Sequence, residues 1–479
     1  MSNLITNKMR YYSSENFLQS ITSADDYLYM FLAKSSKWPE GFGYEDPLVD
    51  SDVLDREVWK DILAMKRILP SDCFRVINAF SWVSGTLYDE YDDSKELDQL
   101  TFYVINNNNV YKCISNDRGK VSTIAPTGVD SGLLETTDGY IWKFMYGIPA
   151  GDDGNWSQWS ITGWFPVSNI KTESENPEQW NVMDNASNID GAIYNFRYTD
   201  VDQSNFSDLI AGQGSNITVE GDGTGFVGSF SGTPGLANTE LMIKVTDPGL
   251  GYTYWSDVRV GDVSIKHWAE PILSPPGGHG SNPVAELDGF YIIVGSFFDD
   301  PKYFSGNEYR RIGIVSNPMR KFDSRGLANN KDKIVGNEFV YGERLKRSTV
   351  DTRIELTIAT VNVSDPINLE TLHEWLFDET NSDVTLVQGS DDIKGLVVTS
   401  DPENNKITII SEQEPSKFEI SGDSVSITVG EVSYGANITA IKDAENIRYV
   451  GDILYVENLS SPIKRPREQF DKVKMVLEF

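Results

Sequence analysis

Short apolar runs broken by Gly, Asn, Asp and Pro dominate the chain, and helical periodicity is confined to three stretches. Near the start, Met9, Tyr12, Phe17 and Leu18 can share one helix face. Over 52–69, DVLDREVWKDILAMKRIL places Val53, Leu54, Val58, Ile62, Met65 and Leu69 at three- and four-residue steps. That spacing predicts a helix with one packed stripe, stopped by Pro70. A third helix is predicted over 367–379, INLETLHEWLFDE, opening after Asp365-Pro366.

Most of the remainder reads as strands. In TFYVINNNNVYKCIS the Asn run marks a turn between two β-rich runs. Over 200–275 the composition shifts to Gly, Ser and Thr with brief apolar runs, which predicts an inserted β module. Over 362–445, VTLVQ, GLVVTS, KITIIS, FEISG and SVSITVG follow one another with turn residues between, as expected of a compact antiparallel sheet. The expected fold is mainly β (α+β): a layered β-sheet core with a few N-terminal helices and two small inserted β modules. The parts expected are a core over 1–199, a module over 200–275, core again over 276–361, a second module over 362–445, and closing core strands over 446–479.

Composition narrows the function. A chain of 479 residues exceeds one ordinary core, and 39% hydrophobic with 11% aromatic residues can fill several. The net charge of −31 repels nucleic acid and anionic membranes unless a basic patch is segregated. The candidates for such a patch, Arg344 to Arg347 and Lys464, Arg465 and Arg467, are short, flanked by acids, and read as solvated surface. Cys73 and Cys113 lack disulfide-framework or zinc spacing and read as buried thiols. No stretch approaches the roughly 18 apolar residues of a membrane span, and the start has no apolar signal region, so maturation in a reducing cytoplasm is expected.

Several motifs invite chemistry that their contexts refuse. Gly223-Thr-Gly225-Phe-Val-Gly228 fits GxGxxG, but SFSGTPGLANT follows where a phosphate-binding helix would have to start, so a turn is expected. His267, His279 and His373 lie far apart with no paired ligand spacing, and no GxSxG elbow supplies a serine nucleophile. The acidic run DEYDDSKELD, 89–98, lacks the alternating ligands of a calcium loop and reads as a solvated loop. No catalytic, cofactor-binding or metal residue is assigned. The aromatic cluster Trp156, Trp159, Trp164 and Phe165, in GNWSQWSITGWFP, alternates with polar residues as a half-buried strand or a partner interface does.

Several segments, in order, resemble a known family. They are NKMRYYSSENFLQSI, then YLYMFLAKSSKWPE with a strand ending in a Trp-containing loop, VWKDILAMKRILPSD, TFYVINNNNVYKCISN, the PTG at 126–128, and DGYIWKFMYGIP. GGHGSNPVAELDGFYI from Gly277 and YRRIGIVSNPMR from Tyr309 continue the series, and GDILYVENLSSPIKRPREQFDKVKMVLEF closes it. Together they resemble the gene-eight baseplate wedge protein of T-even-like contractile-tailed phages, over about three fifths of the chain and outside the two inserts. The PGLGY turn at 248–252 is similar to a small module of phage structural proteins. The resemblance implies a non-enzymatic virion subunit, assembled in the host cytoplasm, that forms a homodimer and contacts other wedge proteins, with no cofactor, nucleic acid or membrane insertion. The rival expectation is a receptor- or glycan-binding tail protein.

Overall fold

The computed structural model describes residues 6–23, 26–38, 52–148, 156–199, 216–231, 242–298, 308–319, 348–378, 381–389, 393–413, 416–420, 424–446, 448–464 and 471–479. The protein is mainly β, with several antiparallel sheets and a few short helices. It divides into two compact units, one of residues 1–15, 74–293 and 476–479, the other of residues 16–73 and 294–475. A four-stranded sheet runs Asp471–Glu478, Tyr291–Phe298, Cys73–Asn78, Trp164–Pro166.

The first unit holds a four-stranded sheet in the order Tyr103–Asn106, Asn109–Ser115, Ile141–Gly147, Leu133–Glu135. Its leading hairpin turns at Asn107 and Asn108, both with positive φ (52° and 63°), the geometry of a tight two-residue turn that Asn tolerates better than most residues. Behind the sheet Trp142 is fully buried and stacks on Tyr140 at 5.3 Å.

The first expected module is a five-stranded sheet in the order Met242–Leu250, Thr224–Ser231, Asn216–Gly221, Trp255–Val260, Val263–Ser264. Ile193–Tyr198 and Ala269–Leu273 pair just outside it and add Ile193, Phe196 and Ala269 to the same core. The GxGxxG stretch lies here in a hairpin, its last five residues inside the strand Thr224–Ser231 rather than at the start of a helix. A Cβ on Gly223 would stand 2.3 Å from the Tyr252 ring, so this glycine seats an aromatic of the PGLGY turn rather than a phosphate. Asp222 fixes the same turn, accepting from Thr253 N and Oγ1 and from Tyr254 N; these bonds hold its carboxyl at about 2.

In the second unit a five-stranded antiparallel sheet runs Thr349–Asp351, Ile62–Arg67, Leu28–Ala33, Glu308–Ser316, Asp452–Lys464. Here the sequence expectation over 52–69 is corrected. The helix is Asp52–Asp61, and Ile62–Arg67 is a strand paired on both sides. Ile62, Leu63, Ala64 and Met65 are all buried, so both faces of this run are covered and the three-and-four spacing across it carries no helical meaning. Pro70 opens a 3₁₀ turn, Pro70–Asp72, rather than ending a helix. The first helix, Asn7–Thr22, also turns a different face inward: Met9 and Tyr12 are exposed, while Ser14 and Ile21 are buried.

The second module is a closed six-stranded barrel in the order Ile354–Ala359, Lys406–Ser411, Ile393–Asp401, Thr385–Gln388, Val425–Val429, Val432–Lys442. It begins at Ile354, ahead of the expected 362, because this strand pairs with both Lys406–Ser411 and Val432–Lys442 and closes the ring. Of FEISG, read as a strand over 418–422, Phe418 to Ile420 form none and the last two residues lie outside the described residues; Phe418 instead joins the barrel core. The third helix is Leu369–Phe377, capped by the Asn368 carboxamide, which accepts from Glu370 N and Thr371 N, and its Leu369 and Leu372 enter the barrel core.

Candidate functional site

The aromatic segment, read as either a half-buried strand or a partner interface, packs largely on the first unit's interior. Trp156–Trp159 is one helical turn, not a strand, and Trp159 is buried. Trp156 meets Phe74 edge-on at 5.7 Å. Trp164 and Phe165 lie in the strand Trp164–Pro166 opposite Asn78 and Ile77, with Trp164 against Tyr291 and Phe165 packed on the core beside Tyr146. Trp156, Trp164 and Phe165 are half-buried, and the Trp159 ring is not available to a partner at all.

A more exposed apolar surface lies on a neighbouring ribbon. Thr86 and Ser122 bridge two loops in antiparallel fashion, and Ser84 Oγ donates to Thr123 O beside them. The bridge holds Leu87 and Val121 at adjoining positions, with Val83 and Ile124 on the same two loops; these four side chains are 44–57% exposed. The ribbon is stiffened from behind: Trp82 Nε1 donates to Ser122 Oγ, and the Asp138 carboxylate accepts from Thr123 N and Ile124 N at 2.7 and 2.9 Å. Desolvation alone would raise the Asp138 carboxyl, but bonds from Thr136, Ile124 and Thr123 hold it below the usual carboxylate range. These aliphatics escape a sequence reading because isolated Val, Leu and Ile in loops have no period; only the Thr86–Ser122 bridge makes them neighbours.

The GGHGSNPVAELDG segment builds a buried ionic centre in the same unit. Lys112 and Lys143 are directly opposed across the strands Asn109–Ser115 and Ile141–Gly147, and both are buried. Lys112 Nζ donates to Glu286 Oε2 and lies 4.2 Å from the Tyr91 ring centroid. Gly280 N donates to both oxygens of Glu286 at 2.9 Å, and Asn282 N to Oε1 at 3.0 Å. Gly280 is required there: its φ is +93°, and a Cβ would stand 2.5 Å from Val182 Cγ1. Burial pushes the Lys112 amine down against the pull of Glu286, and burial together with Lys112 pushes Lys143 down to about 8. Buried His279 sits between Tyr91 and Tyr194, and burial, then Lys112 and Lys143, hold its imidazole well below its ordinary value.

The other candidate residues are dispersed. His267 is exposed, and His373 packs against Phe377 on the barrel helix. Cys113 is buried and Cys73 half-buried, and burial pushes both thiols up. The acidic run is not wholly solvated: Asp92 is buried and receives both Nε and Nη2 of Arg197, at 2.8 and 2.7 Å. Arg344, Lys346, Arg347, Arg465 and Arg467 lie outside the described residues. Among the described residues no three His, Cys, Asp or Glu side chains gather as metal ligands, and no helix is long and apolar enough to cross a membrane. A small open cleft in the second unit is lined by Ser35, Lys37, Trp375, Asn381 and Asp383. Its Trp375 is already engaged: the indole N–H donates to Ser382 O, and the far edge of the ring lies where a Cβ on Gly430 would be 3.0 Å away. No family model and no curated protein sequence matches the chain.

Proposed function

We propose that the chain is a structural subunit of a contractile phage tail, a baseplate wedge protein that forms a homodimer and joins neighbouring wedge proteins in the virion. The observation that carries the reading is where the family-like segments fall. In chain order they supply the strands Leu28–Ala33, Tyr103–Asn106, Asn109–Ser115, Ile141–Gly147, Tyr291–Phe298, Glu308–Ser316, Asp452–Lys464 and Asp471–Glu478, all members of the framework sheets. The Gly277 segment supplies the buried ionic centre. The five-stranded module and the barrel form sheets distinct from that framework. Charged groups sealed among aromatics and pinned by backbone N–H groups favour rigidity over turnover, as a scaffold requires. The mechanism is mechanical: interfaces hold one arrangement of the baseplate and rearrange when the sheath contracts.

The Val83, Leu87, Val121 and Ile124 ribbon is the surface we assign to a neighbouring wedge protein, since clustered exposed aliphatics on a stiff support suit an interface core. Light scattering of the purified chain, alone and mixed with wedge proteins of the same genome, tests both statements. A dimer that enters a discrete heteromeric complex is expected, and the double substitution Leu87→Ser with Val121→Ser should weaken that complex about tenfold or more, or ~1.4 kcal/mol, with an unchanged melting temperature. A monomer or trimer indifferent to those proteins overturns the wedge reading. An unchanged affinity in the double variant removes the ribbon from the interface.

A further inference from the structure

We propose that Lys112 and Glu286 condense after folding into an isopeptide amide that ties the strand Asn109–Ser115 to the short helix Pro283–Glu286. The two side chains are 0% and 2% exposed and already bonded to each other, so nucleophile and acceptor are held together away from competing water. Two lysines meet in this interior, Lys112 bonded to Glu286 and Lys143 to the Ser131 carbonyl, its one hydrogen bond among the described residues. Like charges directly opposite across a strand pair are unfavourable, and each buried ion carries a desolvation penalty. Condensation removes one cation and one anion from that interior.

The step balances without a co-reactant. Within the pair a proton passes from Nζ to Oε2, leaving a neutral amine and a carboxylic acid, the form a dry interior favours. Burial drives Lys112 in the same direction. The amine lone pair attacks Cδ of Glu286 and the C–N bond forms. The charge that grows on Oε1 is met by the N–H groups of Gly280 and Asn282, at 2.9 and 3.0 Å, which act as an oxyanion hole. Nζ then yields a second proton directly to Oε2, the oxygen to which it is already bonded. The C–Oε2 bond breaks and water leaves, so that ammonium plus carboxylate become amide plus water. The amide closes a covalent loop from residue 112 to residue 286 that contains the whole five-stranded module.

The test is the intact mass of the denatured full-length chain, followed by tandem mass spectrometry of its proteolytic digest. The expected result is a chain lighter than its sequence by one water, with a branched peptide joining Lys112 to Glu286, and full sequence mass in Lys112→Met and Glu286→Ala. A wild-type chain at full sequence mass overturns the proposal, as does a missing water that maps to any other position. The wild-type measurement decides by itself, whether or not either variant folds.

Discussion

Asp288 occupies the left-handed backbone region at φ 56° immediately after the ionic centre, and its Oδ1 is buried with no hydrogen-bond partner among the described residues. Burial, opposed by Arg10, pushes its carboxyl up from 3.8 to about 6. A carboxyl raised in the folded state favours folding below pH 3.8 and loses that contribution as pH rises through about 6, so at neutral pH the ionised Asp288 is a liability. Asn keeps the side-chain shape, tolerates the same backbone and carries no charge. Asp288→Asn should therefore raise stability at pH 7 by roughly 1–2 kcal/mol, read from the urea midpoint. His279 has the opposite sign. Its depressed folded pKa gives stability that is present above about 6.5 and is lost as pH falls below it. Between pH 7 and 5 the two effects partly cancel in the wild type. The Asp288→Asn chain should lose melting temperature on acidification more steeply than the wild type, and parallel curves would mean that Asp288 does not titrate in that window.

At the scale of elements, the barrel helix Leu369–Phe377 depends on one cap. The Asn368 side-chain oxygen accepts from Glu370 N at 2.9 Å and Thr371 N at 3.3 Å, and the helix carries Leu369 and Leu372 into the barrel core. Asn368→Ala should cost about 1 kcal/mol and Asn368→Asp little, measured by urea titration of each variant. Equal losses in both would place the effect in side-chain packing rather than the cap. The sequence announced this helix through a start after Asp365-Pro366 and placed that start two residues early, because the residue that caps it is Asn368. The Asn107-Asn108 hairpin was legible for a local reason, a turn chemistry written in two adjacent residues. Ile62–Arg67 was not, because a run covered on both faces carries no period and only its partners Leu28–Ala33 and Thr349–Asp351 make it a strand. The barrel's closure was hidden in the same way: Ile354–Ala359 reads as one more β-rich run until its two neighbours, Lys406–Ser411 and Val432–Lys442, are known. The candidate site followed this rule too. Aromatics visible as a cluster in sequence, Trp156 to Phe165, turned largely inward, while the opposed Lys112 and Lys143 and the exposed ribbon exist only through strand register.

At the scale of the whole molecule, charge decides behaviour that no single contact does. The chain carries 72 acidic against 41 basic side chains, and the ion pairs described, such as Arg197 with Asp92 and Arg353 with Asp351, neutralise only some of the excess. The remaining carboxylates repel one another over the screening length, about 30 Å at 0.01 M salt and about 3 Å at 1 M. A compact state concentrates that repulsion relative to an unfolded chain. The exposed pairs, by contrast, are each worth little and are weakened by the same salt. Raising sodium chloride from about 0.02 M to about 0.5 M should therefore increase the melting temperature of the isolated chain by a few degrees. The partly buried pairs are screened least, which leaves general repulsion as the term that salt changes most. A melting temperature that falls with salt would mean that local pairing outweighs the −31 excess, and that the acidic surface is organised into attractive networks rather than left as an unbalanced field. The two outcomes also separate in association. If repulsion dominates, the same salt should strengthen self-association of the chain; if paired networks dominate, it should weaken it.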